Sequence, residues 1–138
     1  MTYNDISGVP AVPTIPRISE AEWRIMKVVW ARSVPLAAYD IIQELAATKA
    51  WRPETIKTLL NRLVKKGALG YKQYKNLYLY YALVAEAECI RAESESFLKR
   101  FFDGALEPML AHFVEEHPLT PVQIRGLKRI LDRKEGRR

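Results

Sequence analysis

Apolar residues recur at intervals of three and four along three early stretches of the chain, and then the interval falls to two. In the first stretch Trp23, Met26, Val29 and Trp30 share one face. Ahead of them Ser19-Glu20-Ala21-Glu22 has the form of a capping box, in which Ser19 caps the helix start and Glu22 reaches back to the Ser19 amide. These signals predict a first helix over 20–31, stopped before Pro35. A second helix is predicted over 36–47, with Ile41, Ile42 and Leu45 as its buried stripe and Ala38 at a contact. A short connection through Lys49-Ala50-Trp51 follows. Pro53 suits the first position of a third helix, where the missing amide has no partner to lose. Ile56, Leu59, Leu60, Leu63 and Val64 keep the helical interval as far as Lys66, and Gly67 stands where a left-handed C-cap belongs.

Beyond Gly67, two runs rich in aromatic and aliphatic residues, 69–74 and 77–83, flank the turn-forming pair Lys75-Asn76. They predict a β-hairpin. Its tyrosines (Tyr71, Tyr74, Tyr78, Tyr80 and Tyr81) are expected mostly to pack on the first or third helix. The last third of the chain returns to the helical interval. One long helix is predicted over 86–103, ended by Gly104 and carrying Ile90, Phe97, Leu98, Phe101 and Phe102. A second, over 105–116, carries Leu106, Met109, Leu110 and Phe113. A third, opened by Thr120 and Pro121, is expected to bury Ile124, Leu127, Ile130 and Leu131. Three short helices with this much apolar surface rarely stand alone, and a subunit interface is the simplest use for them. The chain therefore reads as mainly α with a small β-hairpin. It has a flexible leader over 1–17 with Pro10, Pro13 and Pro16, a winged helix-turn-helix domain over 18–84, and a helical dimerisation domain over 85–138.

Composition changes this picture little. At 138 residues the chain can bury a core without staples. No run approaches the roughly 18 apolar residues of a membrane span, so no membrane insertion is expected. No basic segment followed by an apolar stretch marks a signal peptide. The single cysteine, Cys89, excludes an intrachain disulfide, suits a reducing cytoplasm and is expected to be a small buried hydrophobe. Charge is more telling. Residues 49–75 hold eight Lys/Arg against Glu54 alone, a local +7, whereas 85–118 carry −5 and the last twenty residues +5. A basic centre beside an acidic region suggests a face for a polyanion on a domain with a separate task elsewhere.

The face of the third helix opposite its leucines shows Glu54, Thr55, Lys57, Thr58, Asn61, Arg62 and Lys65. About 14 residues make a rod of roughly 21 Å, which fits a major groove. Thr can touch a thymine methyl, Asn pairs with adenine, and Lys or Arg with guanine. Thr55 and Thr58 lie in the half that points at bases in helix-turn-helix proteins, and Lys65 and Lys66 are placed for phosphates. The hairpin tip adds Lys72, Gln73, Lys75 and Asn76, suited to adjacent phosphates, which give affinity and register without sequence choice.

Several motifs together resemble the BlaI/MecI-type penicillinase repressors: the run from Ile18 to Trp23, Met26 through Trp30, Trp51-x-Pro53-x-Thr55-Ile56-x-Thr58-Leu59, Arg62-Leu63-x-Lys65-Lys66-Gly67 and Tyr80-Tyr81-x-Leu83-Val84. The resemblance spans residues 18–131 and is shared with the copper-responsive repressors. It implies a homodimer on an inverted-repeat operator, with recognition contacts at Thr55, Lys57, Thr58 and Arg62. Arg52 stands where that family usually has a Ser or Thr cap, and Glu54 where some members have Lys. The resemblance also implies inactivation by cleavage between an Asn and a Phe in the dimerisation domain, with a membrane sensor protease as the partner. The matching pair here is His112-Phe113. The paired Cys-x-Cys motifs of the copper branch are absent.

Dimer contacts are expected from Phe97, Phe101, Leu106, Met109, Leu110, Phe113, Ile124, Leu127 and Leu131. His112, His117 and Cys89 lack the spacing of a metal site, and no phosphate loop or nucleophile motif occurs, so neither cofactor nor enzyme activity is expected. Two other readings stand beside the repressor. A winged helix that binds protein would show anchors such as Trp or Leu on the third helix, where Thr, Asn, Lys and Arg stand instead. A ligand-sensing winged helix of another family would hold its pocket between the aromatic C-terminal helices.

Overall fold

Ser19 opens the first helix, α1 (Glu20–Trp30), through the predicted capping box. The Glu22 amide donates to Ser19 Oγ at 3.2 Å, and the Ser19 amide donates to Glu22 Oε1 at 2.9 Å. In the computed structural model, which describes residues 15–48 and 51–136, this box is one end of a longer link. Lys66 Nζ donates to Glu22 Oε1 at 2.7 Å and to the Arg17 carbonyl at 2.7 Å. Glu22 is 2% exposed. Burial alone would raise its carboxyl, but the Lys66 ammonium and the Ser19 amide outweigh burial and hold it below the ordinary carboxylate value. Most of the predicted leader and the pair Lys49-Ala50 lie outside the described residues.

Helix α1 is covered on more than one side, by α2 (Ala38–Ala46), α3 (Pro53–Lys65) and the sheet. Its buried face is therefore broader than the predicted stripe: Ile25 and Val28 are buried with Met26 and Val29. Trp23 and Trp30 are half-buried, with ring centroids 5.3 Å apart in an edge-on pair, and Trp30 Nε1 donates to the Val84 carbonyl at 2.9 Å. The second helix starts later than its spacing predicts. Leu36–Ala37 form strand β1, with Leu36 opposite Tyr80 and Ala37 opposite Leu79. Two residues are too few to show a period, and the neighbouring strand fixes their extended backbone. Asp40 then caps α2 by accepting from the Ala37 amide at 3.1 Å.

Pro53 occupies the first turn of α3, as predicted. At the other end Gly67 takes φ +84°, a conformation that Cβ-bearing residues avoid. The Ala68 amide reaches the Leu63 carbonyl at 2.9 Å and the Gly67 amide reaches Val64 at 3.1 Å. That paired closure of the last turn sends the chain straight into β2 (Leu69–Tyr74). β2 pairs with β3 (Leu77–Ala82) across Lys75-Asn76, and the sheet order is β1-β3-β2. Ile25, Met26, Ile41, Ile56, Leu60, Leu63, Leu69 and Cys89 are the largest fully buried side chains. Cys89 comes from α4 (Glu86–Phe102), whose Glu86 also accepts from Lys27 Nζ at 2.5 Å.

The chain divides into two compact units, Met1–Ala92 and Glu93–Arg138. In the second unit Asp103 (φ 52°) and Gly104 (φ 83°) end α4 and precede α5 (Leu106–Glu116). Thr120 opens α6 (Pro121–Gly136): its Oγ1 accepts from the Gln123 amide at 3.1 Å, and Gln123 Oε1 accepts from the Thr120 amide at 2.9 Å. The expected burial of α6 does not occur within one chain: Ile124, Leu127, Ile130 and Leu131 are all exposed, and neither α5 nor α6 has a buried residue.

The Glu22–Lys66 link makes a stability prediction. Its carboxyl titrates lower in the folded protein than in the unfolded chain. The link therefore contributes fully above the unfolded value of about 4.3 and is lost as pH falls through the folded value. Lys66→Met should cost about 1.5–3 kcal/mol at neutral pH, by stranding a charged hydrogen-bond acceptor. Glu22→Gln should lower the urea midpoint at pH 7 and lose less stability on acidification than the wild type. Equal acid sensitivity of the two proteins would show that this carboxylate is not a source of acid lability.

Candidate nucleic-acid interface

Helix α3 turns Ile56, Leu59, Leu60 and Leu63 into the core. At 3.6 residues per turn the opposite line is Glu54, Thr58, Asn61 and Lys65. Lys57 flanks that line on one side, and Thr55 and Arg62 flank it on the other. All seven are exposed. Among the described residues, Lys57, Arg62, Lys65 and Lys72 make no side-chain hydrogen bond or ion pair, so these cations are open to an external anion. Lys66 differs: it is tied to Glu22 and the Arg17 carbonyl, so its ammonium serves the fold first. Thr58 Oγ1 donates to the Glu54 carbonyl at 3.0 Å. Its hydroxyl proton is thus held inside the helix, while its methyl and an oxygen lone pair remain for a partner.

The hairpin carries its own exposed cations. Lys72 pairs across the sheet with Leu79, and Lys75 sits at the tip with φ 57°. Gln73 Nε2 donates to the Lys75 carbonyl at 3.3 Å, and Lys75 Nζ lies 5.4 Å from the Tyr74 ring centroid. The expectation that most hairpin tyrosines pack on helices is corrected. Tyr80 is buried, whereas Tyr71, Tyr74, Tyr78 and Tyr81 are exposed. Tyr71 stands opposite Tyr80 and three rings meet there, with Tyr71 5.0 Å from Tyr78 and 6.2 Å from Tyr80. Burial first, and then the neighbouring phenols, push the Tyr80 hydroxyl up and keep it neutral.

Sequence spacing does not reveal an open cleft of about 420 Å³ bordered by α2, α3 and the hairpin. Tyr39 and Ile42 line it from α2, Lys57 and Asn61 from α3, and Asn76 and Tyr78 from the hairpin. Tyr39, at the start of α2, is 67% exposed.

The second unit presents a surface of another kind. Phe97 and Met109 are half-buried, and Phe101, Leu106, Leu110, Phe113, Ile124, Leu127 and Leu131 are exposed. Phe113 stacks on Phe97 at 6.0 Å yet keeps 38% of its surface exposed. His112, also exposed, lies 6.1 Å from Phe102. The His112–Phe113 bond falls inside α5. No helix among the described residues is long and apolar enough to cross a membrane.

The sequence pattern of the penicillinase repressor family matches residues 18–133. The penicillinase repressor of Bacillus licheniformis is 39% identical over 124 residues, covering 90% of this chain and 96% of that protein. The methicillin resistance regulatory protein MecI of Staphylococcus aureus strain N315 is 35% identical over 117 residues, covering 85% and 94%. The solved DNA-binding domain of the repressor BlaI superposes with a TM-score of 0.50 at 39% identity, covering 56% of this chain and 93% of that domain. The three helices and hairpin described above share its fold.

The hairpin tip is testable by itself. Lys75 holds a left-handed backbone that costs a Cβ-bearing residue energy. Lys75→Gly should raise stability by about 0.5–1 kcal/mol after the extra chain entropy of glycine is subtracted. It should also remove a cation from the tip, so thermal stability and affinity for polyanions should move in opposite directions. A fall in both would show that the lysine side chain supports the turn.

Proposed function

Because the chain belongs to the penicillinase repressor family, we propose that it is a DNA-binding transcriptional repressor that grips an inverted-repeat operator as a homodimer. The observation that carries this reading is the solvent face of α3, where Thr55, Lys57, Thr58, Asn61, Arg62 and Lys65 are exposed around a single acid, Glu54. A helix of 13 residues is about 20 Å long and enters a major groove. Arg62 supplies a forked donor for guanine, Asn61 a donor–acceptor pair for adenine, and the Thr58 methyl a contact for thymine. Lys65, Lys72 and Lys75 meet phosphates, which set register and affinity.

The homodimer rests on the second unit. An apolar surface left exposed along two entire helices is unfavourable in water, and a second copy covers it without requiring another partner. Phe113 lies in that surface. Cleavage at His112–Phe113 by a membrane sensor protease fits the same logic, since a cut there removes the rest of α5 and all of α6 from the interface. Such a cut requires the helix to open locally, because the bond lies mid-helix.

Selection from random duplex DNA should return palindromes whose half-sites are centred about 10 bp, or a multiple, apart. A single isolated half-site bound at full affinity would contradict the dimer. Arg62→Ala should weaken operator binding more than binding to random duplex. Lys72→Ala and Lys75→Ala should weaken both equally, each flattening the log–log salt slope by about 0.9. Phe113→Ala should cost roughly 3–5 kcal/mol if the partner buries the ring. At about 1.4 kcal/mol per tenfold, that weakens dimerisation by two to three decades, readable by sedimentation. A Phe113→Ala protein that stays dimeric at nanomolar concentration would restrict this ring to a role within one chain.

A further inference from the structure

We propose that the cleft between α2, α3 and the hairpin seats the sugar–phosphate backbone of one DNA strand, and that Tyr39, Asn76 and Tyr78 are its neutral phosphate donors. The inference rests on the DNA-binding reading above and adds residues that neither the recognition-helix face nor the cationic hairpin tip includes. Three observations carry it. First, the cleft is continuous with the recognition face, because Lys57 and Asn61 belong to both. A helix lying in a major groove has a phosphodiester strand along each of its flanks, and the hairpin stands on the flank toward which Lys57 leans.

Second, the lining has the right chemistry for that strand. Among the described residues Lys57 is the only cation in the lining, and no Asp or Glu lines it. Around it stand the phenols of Tyr39 and Tyr78 and the amides of Asn61 and Asn76. The remaining wall includes Ile42, Leu77 and Tyr80, an apolar floor suited to a deoxyribose ring. A charged phosphate oxygen strengthens a neutral O–H or N–H donor, and such donors are common on DNA backbones. Third, both tyrosines stand exposed beside the cleft, the Tyr78 ring against Tyr71 and the Tyr39 ring at the start of α2. Tyr39 is 67% exposed and Tyr78 51%, and Tyr39 makes no side-chain hydrogen bond among the described residues. Tyrosine left at a surface with a free hydroxyl is well suited to a partner that is apolar on one side and anionic on the other.

Neutral and charged contacts leave different signatures. A lysine on a phosphate displaces a counterion, so its removal flattens the salt slope by about 0.9. A phenol or amide displaces none. Tyr39→Phe and Tyr78→Phe keep the rings, and Asn76→Ala shortens one side chain at the hairpin tip. Each should weaken operator and random duplex to the same degree, by about tenfold for the tyrosines, with the salt slope unchanged. Lys57→Gln should weaken both and flatten the slope. The full-length protein would be titrated against operator and random duplex at several salt concentrations, with circular dichroism confirming that each variant is folded. If the wild type binds the operator tightly and both Phe variants match it, no backbone enters the cleft and the proposal fails while the repressor reading stands. If the Phe variants lose affinity for the operator only, the tyrosines touch bases, which also overturns it. If the wild type shows no preference for any duplex, both readings fall together.

Discussion

The carboxylate of Glu22 ties three parts of the chain that are far apart in sequence. It closes the first turn of α1, holds the Lys66 ammonium at the end of α3, and through Lys66 reaches the Arg17 carbonyl ahead of α1. A charge this deeply enclosed is tolerated only when paired and hydrogen-bonded. It therefore admits few arrangements of α1 against the end of α3. That end also carries the Gly67 closure, which launches the hairpin. The side of α3 that reaches solvent and the direction of the hairpin follow from the same corner of the structure.

Around that corner three basic residues are held in ion pairs and others are left open. Lys27, Arg32 and Lys66 are paired with Glu86, Glu44 and Glu22. Among the described residues, Lys57, Arg62, Lys65 and Lys72, on α3 and the hairpin, have no ion pair. The exposed Lys27–Glu86 and Arg32–Glu44 pairs contribute little stability, whereas the Lys66–Glu22 pair is enclosed and holds α1 to the end of α3. The open group produces a directed positive field, which a count of net charge over the basic segment only suggests.

The second unit inverts the usual arrangement of a small domain. Its rings touch one another, as Phe97 does with Phe101 and Phe113, yet α5 and α6 leave their apolar residues exposed. In the first unit the apolar stripes of three helices and a sheet cover each other. In the second, α5 and α6 have no buried residue, so their apolar side chains remain in contact with water.

Periodicity and punctuation alone determined where most elements begin and end. Ser19 with Glu22, Pro53, Gly67, Gly104 and Thr120 act through bonds or backbone angles within a few residues, so local sequence suffices to read them. The outward face of α3 was legible for the same reason: its leucines fix the buried side, and the other side follows. Only the tertiary structure decided features that depend on distant neighbours. Leu36–Ala37 became a strand because β3 lies beside them. Lys66 is engaged because Glu22 is buried beside it, and of the five hairpin tyrosines only Tyr80 meets the core while Tyr71, Tyr74, Tyr78 and Tyr81 are exposed. The cleft joining Tyr39 to Lys57 and Tyr78 likewise exists only after α2, α3 and the hairpin have packed, since no interval in the sequence relates their positions.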